Sequence, residues 1–66
     1  MNTKKVLYHG IFNYAQESYE LYTHATSRDF AFLNFCSQIS KSVGVNRTSV
    51  LYYFDGSKDN YFIERR

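Results

Sequence analysis

A helical repeat of apolar side chains in the middle of the chain constrains the fold more than any other feature. The repeat comprises Ala31, Phe32, Phe35, Cys36, Ile39 and Val43. Spacings of three and four residues place side chains on one face of an amphipathic helix. Thr26 and Asp29 fit a capping box at its start, with Thr26 as the N-cap. Gly44 is suited to end the helix in the left-handed conformation, so we predict a helix from Ser27 to Val43.

The segment before this helix has the composition of a β-hairpin. Residues Val6 to Tyr14 and Ser18 to Ala25 are rich in Val, Ile, Tyr, Phe and Thr, and Ala15-Gln16-Glu17 separates them. Two short runs of this kind joined by a short loop are typical of antiparallel strands. The simplest register places Tyr14 opposite Ser18.

That register divides the hairpin side chains between two faces, both of which contain large apolar groups. His9 and His24 fall on opposite faces, so we expect them to have separate structural roles. A single layer of helix covers only one face of a sheet, and the other is then a candidate contact surface. The side chains assigned to a partner interface are Tyr8, Phe12, Tyr14 and Tyr22.

The segment from Asn46 to Phe54 admits two interpretations. As a helix it has Asn46 as N-cap, an apolar face of Val50, Tyr53 and Phe54, and a stop at Gly56. As a strand it has high β-propensity and turns at Asp55-Gly56. We favour the helix because of the motif described below. Together with a closing strand at 61–64, the prediction is an α+β domain of order ββααβ, with ββαββ as the alternative.

Size and composition limit the classes of function. The chain has 66 residues, enough for one domain, and a single cysteine that rules out an internal disulfide. There is no Cys/His cluster with zinc spacing and no grouping of nucleophile, base and orienting residue, so we expect no metal, no cofactor and no enzymatic activity. No run of about 18 apolar residues and no signal-peptide core is present, which favours a cytoplasmic protein without a membrane span.

The residues from Cys36 to Asp55 match the pattern of a helix-turn-helix. An apolar and a small residue, Ile39 and Ser40, precede the turn at Gly44. Two helices that cross near a right angle must share an apolar seam. Ile39 and Val43 would supply one side of that seam, Val50 and Tyr53 the other, and Val45 would fill the corner.

The same stretch resembles the recognition segment of the tetracycline-repressor family, which runs Ile-Ala, then Gly-Val-Ser, then Leu-Tyr-x-Tyr-Phe and Ser-Lys. The corresponding residues here are Ile39-Ser40, Gly44-Val45-Asn46, Val50-Leu51-Tyr52-Tyr53-Phe54 and Ser57-Lys58. The resemblance covers residues 36–58, about a third of the chain. In contrast to that family, a hairpin precedes the motif and no large ligand-binding domain follows it, so the resemblance does not imply induction by a ligand.

What the resemblance implies is duplex-DNA binding by the outward face of the second helix. The residues that it assigns to DNA contact are Ser37, Lys41, Asn46, Arg47, Thr48, Leu51, Tyr52 and Lys58. Among them Arg47 would bind a guanine edge and Leu51 a thymine methyl. Lys41 and Lys58 would hold phosphates. The expected protein is a small DNA-binding regulator, with a homodimer as its working form.

Two further resemblances point to other functions. The order strand, strand, helix followed by Gly44-Val45-Asn46-Arg47 is similar to a module of an archaeal and eukaryotic large-subunit ribosomal protein, which would imply ββαββ and an RNA contact. The short length and dense aromatic residues are similar to small phage accessory proteins. The alternative function is therefore a protein–protein interaction module that binds or inhibits a host protein.

Overall fold

The computed structural model describes residues 4–56 and 60–66, which form a small α+β domain of order ββααβ. The elements are the strands β1 (Val6–Tyr14) and β2 (Glu17–Ala25), the helices α1 (Arg28–Val43) and α2 (Arg47–Tyr53), and the strand β3 (Tyr61–Arg65). The predicted fold class and the closing strand are confirmed. Lys58 lies outside the described residues.

The three strands form one antiparallel sheet in which the first strand is central. The strand order is β2-β1-β3, so β1 pairs with both neighbours. Two further backbone hydrogen bonds extend the pairing of β1 with β3 beyond both ends of the ladder. The Asn13 amide donates to the Asn60 carbonyl and the Arg66 amide donates to the Leu7 carbonyl, each at 2.9 Å. Since a two-stranded hairpin is marginal alone, the third strand is needed for stability.

The hairpin turn is tighter than the predicted loop. Tyr14 pairs with Glu17, and only Ala15 and Gln16 form the loop, with φ angles of 52° and 68°. Positive φ at both central residues is the requirement of a type I′ turn, which matches the twist of the flanking strands. The predicted pairing of Tyr14 with Ser18 is therefore wrong by one residue. The loop residues themselves do not indicate this turn, because Ala and Gln are uncommon at these angles.

The one-residue shift changes which β2 side chains join each face of the sheet. One side, here called the covered face, lies under the helices and carries Tyr8, Gly10, Phe12, Tyr14, Tyr19, Leu21, Thr23, Ala25, Tyr61 and Ile63. The other side, here called the open face, carries His9, Ile11, Asn13, Ser18, Glu20, Tyr22, His24, Phe62 and Glu64. His9 and His24 thus share one face, contrary to the prediction.

The first helix begins one residue later than predicted and ends where predicted. Ser27, not Thr26, is the N-cap, and its hydroxyl accepts a bond from the Phe30 amide at 3.3 Å. At the other end Gly44 adopts φ 75° and donates to the Ser40 carbonyl at 2.9 Å. Glycine adopts this left-handed conformation without steric penalty, because it has no Cβ atom.

The segment after the turn is a helix, as favoured, and not a strand. Asn46 is its N-cap, and the side-chain oxygen accepts from the Thr48 amide at 2.7 Å. Val50 and Phe54, one helical turn apart, are both buried. In a helix, residues four apart are neighbours on one face, so both side chains reach the core together. In a strand they would share a face too, but with the side chain of Tyr52 between them.

Aromatic rings from the sheet and both helices meet in the core. Phe12 is completely buried and contacts Phe35, Phe54 and Tyr61 with ring centroids 5.0–5.4 Å apart. A Cβ atom placed on Gly10 would lie 2.8 Å from the rings of both Phe12 and Phe35. The bare backbone at Gly10 therefore allows α1 to approach the sheet.

Candidate nucleic-acid interface

The second helix separates its core side chains from its solvent-facing side chains. Val50 and the C-cap residue Phe54 point into the core, while Arg47 and Thr48 in the first turn are exposed. Tyr52 lies on the same outer surface and is 76% exposed. The helix is too short to be stable alone, so its orientation is set by the buried side. The outer side is left available for contact.

The turn between the helices is held by hydrogen bonds to one serine. The Ser40 carbonyl accepts from the amides of Gly44 and Val45, at 2.9 and 3.2 Å. The Ser40 hydroxyl donates to the Val45 carbonyl at 2.7 Å. Lys41, in the last turn of α1, is exposed next to this turn in sequence. These bonds fix the direction of α2 relative to α1. They involve both the backbone and the side chain of Ser40, which is the small residue of the motif.

Two of the sequence-predicted contact residues, Asn46 and Leu51, have structural roles in addition, and a third is only half-exposed. Asn46 is exposed, but its side chain caps α2. Leu51 is half-buried and packs against the core, so it offers less surface to a base than predicted. Ser37 on α1 is half-buried as well. Lys41, Arg47, Thr48 and Tyr52 are the other exposed members of the predicted set within the described residues.

Two cationic side chains, Lys41 and Arg47, are exposed in this part of the molecule. Neither Lys41 nor Arg47 forms an ion pair within residues 4–56 and 60–66, and the first turn of α2 contains no acidic residue. Burial raises the pKa of the Cys36 thiol to about 11, and the nearby Arg47 guanidinium opposes the rise. Cys36 is thus a neutral core residue.

The predicted partner interface is wrong as a single surface. Tyr8 and Phe12 are buried under the helices, and Tyr14 is half-buried beside Tyr53, with ring centroids 4.7 Å apart. Tyr22 is on the opposite side of the sheet, where it is 49% exposed. The cause is the hairpin register: the tight turn moves Tyr22 to the open face and gives the other three rings to the core.

A cluster of charged groups on the open face was not predicted. His9 is only 6% exposed and contacts Glu20 on β2 and Glu64 on β3. With the predicted register His9 would have faced Thr23, so no pattern pointed to the cluster. A two-residue loop would have placed His9 opposite Tyr22 and next to Glu20, which was the signal available. In the part of the chain that the structure describes, no group of three or more His, Cys, Asp or Glu side chains is arranged to hold a metal ion.

The described residues thus form a three-stranded antiparallel sheet with a helix pair on one side. No protein-family model, curated protein or solved structure matches the chain. Neither described helix has the length and apolar content required to cross a bilayer.

Proposed function

We propose that the chain is a small DNA-binding regulator that places the outer surface of α2 against duplex DNA. The observation that carries the proposal is the division of α2. Val50 and Phe54 anchor the helix in the core. Arg47, Thr48 and Tyr52 are exposed, close to the turn at Gly44 that joins α1 to α2. A helix-turn-helix requires this combination of a fixed second helix and a free outer side.

The exposed side chains suit the two kinds of contact that DNA offers. Arg47 has the planar donor pair that matches the guanine edge, and such a pair discriminates between bases by about 1–3 kcal/mol. Lys41 and the Tyr52 hydroxyl would contact phosphates, which fix the register of the protein on the duplex. The formal net charge of +2 gives only a weak general attraction, so binding depends on this surface.

A protein of this size would use two copies on a symmetric site. One module contacts only a few base pairs, and single small modules bury less DNA surface than tight site-specific complexes require. A dimer whose two α2 helices enter successive major grooves would contact two half-sites about 34–36 Å apart. Regulation would then follow from occupancy of the site.

The experiment is fluorescence anisotropy with a labelled mixed-sequence duplex at two salt concentrations. With about two phosphate contacts, affinity should fall about tenfold between about 50 and about 200 mM salt. Arg47→Ala should weaken binding, and Arg28→Ala is the matched control. Arg28 is also exposed but lies at the far end of α1, about 20 Å along the helix from Lys41. Equal affinity of wild type and Arg47→Ala would exclude α2 as the DNA-contacting element.

A second candidate is a protein–protein interaction module that uses the open face. The favouring observation is that Tyr22, Ile11 and Phe62 are exposed there, with Phe62 at 54%. Large aromatic side chains at a surface are the usual anchors of a protein interface. This candidate predicts no salt-dependent DNA binding, and a purified host partner whose affinity is lost in Phe62→Ala but retained in Arg47→Ala.

A further inference from the structure

The centre of the open face contains a histidine between two carboxylates from the two edge strands. The His9 Nε2 atom lies 2.8 Å from a Glu20 carboxylate oxygen, and the Nδ1 atom lies 2.9 Å from a Glu64 carboxylate oxygen. His9 belongs to β1, Glu20 to β2 and Glu64 to β3. One side chain on the central strand therefore contacts both outer strands.

The geometry sets the protonation state of the imidazole. A neutral imidazole carries one N–H and one lone pair, whereas an ionised carboxylate only accepts hydrogen bonds. Both distances allow charge-assisted bonds, and with both carboxylates ionised both ring nitrogens must donate. His9 is thus an imidazolium in this arrangement, with two carboxylates as its partners.

We propose that His9, Glu20 and Glu64 form a proton-dependent clasp that holds β3 to the rest of the sheet. When His9 loses a proton, one of its two bonds is replaced by a lone pair facing a carboxylate. The strand released is β3, which has five residues against nine in β2 and lacks a tight turn to β1. β2 stays in place because the hairpin turn joins it to β1.

The two carboxylates favour the charged form of His9, whose other neighbours are one aromatic ring and two basic side chains. Tyr22 on β2 stacks on the ring with centroids 4.7 Å apart, and Arg66 donates to the same Glu64 oxygen at 2.9 Å. His24 is the next side chain along β2 on this face. The hydrogen bond with Glu64 does most to raise the pKa of His9, burial opposes it, and Glu20 adds to the rise. The bond with His9 and then Arg66 lower the pKa of Glu64, against the effect of burial.

These directions determine the pH range in which the clasp acts. A raised His9 pKa gives stability that is complete below the unfolded pKa of about 6.5 and is lost as pH rises through the folded pKa. A lowered Glu64 pKa gives stability that is complete above about 4.3 and is lost as pH falls through its folded pKa. The clasp is therefore fully closed between about pH 4.3 and about pH 6.5.

The first test is an NMR titration that follows both imidazole nitrogens of His9. We expect two protonated nitrogens at pH 6 and a midpoint above about 6.5. Glu64→Gln and Glu20→Gln should each lower the midpoint, because each removes one negative partner. Glu17→Gln is the matched control, since it makes the same change at an exposed β2 position outside the cluster, and it should leave the midpoint unchanged.

The second test measures release of β3 directly by hydrogen exchange. Protection factors of the Asn13 and Arg66 amides, which bond across the β1–β3 boundary, should fall as pH rises through the His9 midpoint. Protection of the Gly44 amide at the end of α1 should not fall with them. His9→Gln should abolish the pH dependence at the two strand amides.

The two measurements also define what would overturn the clasp. A single neutral tautomer of His9 at pH 6 would refute it, as would a midpoint unaffected by both glutamine variants. Constant protection of β3 through a confirmed His9 titration would refute the strand release. If Glu64→Gln fails to fold by circular dichroism, Glu20→Gln decides the result, because Glu20 is 64% exposed in its side chain.

Discussion

The covered and open faces of the sheet each bury a side chain of β1, but different forces hold the two. On the covered face Phe12 is enclosed by rings from both helices and β3. On the open face His9 is nearly as buried, yet it is enclosed by two carboxylates and one stacked tyrosine. Apolar burial is non-directional and insensitive to proton concentration. The polar cluster depends on geometry and protonation, so the two faces should respond differently to mutation and to pH.

Phe12→Ala should produce the largest effect on this comparison. Truncation of a fully buried phenylalanine costs about 3–5 kcal/mol, because transfer free energy is lost and a cavity remains. A domain of this size has a free energy of unfolding of only about 3–10 kcal/mol. We expect most of the cooperative transition to disappear in a urea titration monitored by circular dichroism. A loss below about 1 kcal/mol would show that the covered face does not dominate stability.

Gly10→Ala tests how closely α1 approaches the covered face. The added methyl group would lie 2.8 Å from two rings, one of them Phe35 of α1, so the helix must shift. Overpacking of this type costs about 1–3 kcal/mol, which urea denaturation can measure. Ser18→Ala, at an exposed strand position, is the control and should change little. An unchanged midpoint for Gly10→Ala would mean that Phe35 does not rest on the sheet as described.

His9→Gln tests the open face through pH. Wild type should lose stability when the pH rises from about 5.5 to about 8.5, since the raised His9 pKa means that protonation favours the folded state. The glutamine variant should show a smaller loss over the same range, and the difference should be smaller than the effect of Gly10→Ala. The measurement is the free energy of unfolding from urea curves at both pH values. Parallel pH profiles for the two proteins would contradict a role for His9.

Phe62→Ala should produce the smallest effect and is the counterpart of Phe12→Ala. It removes the same ring from the opposite face, where the residue is 54% exposed. Substitutions at such positions usually change stability by less than about 0.5 kcal/mol. Thermal unfolding should therefore be close to that of wild type. A cost near that of Phe12→Ala would mean that the open face is covered in solution.

Much of the local structure could be predicted from the sequence because it depends on neighbouring residues. The apolar stripe along α1, the stop at Gly44 and the cap at Asn46 all act within one or two helical turns. The N-cap of α1 differs by one residue from the prediction, because Thr26 and Ser27 are both suitable capping residues. The helical state of residues 46–54 was the favoured interpretation, and packing of Val50 and Phe54 accounts for it.

The candidate site was predicted in part. Arg47, Thr48 and Tyr52 are on the outer side of α2, as the helical period requires. Leu51 is drawn toward the core, which the period alone could not show, because its burial depends on the angle at which α2 leaves the turn. The proposed role of these residues in DNA binding is left to the anisotropy experiment.

Local patterns in the chain account for the order of the elements, the ends of the helices near Gly44 and Asn46, and the aromatic composition of the core. Which face of the hairpin the helices cover depends on how the strands pair in the folded domain, and so does the meeting of His9, Glu20 and Glu64. The physical reason is that side chains of a strand alternate with a period of two, so one residue of loop length exchanges the faces of β2. Loop length here was set by a turn whose residues, Ala15 and Gln16, carry no strong local preference for it.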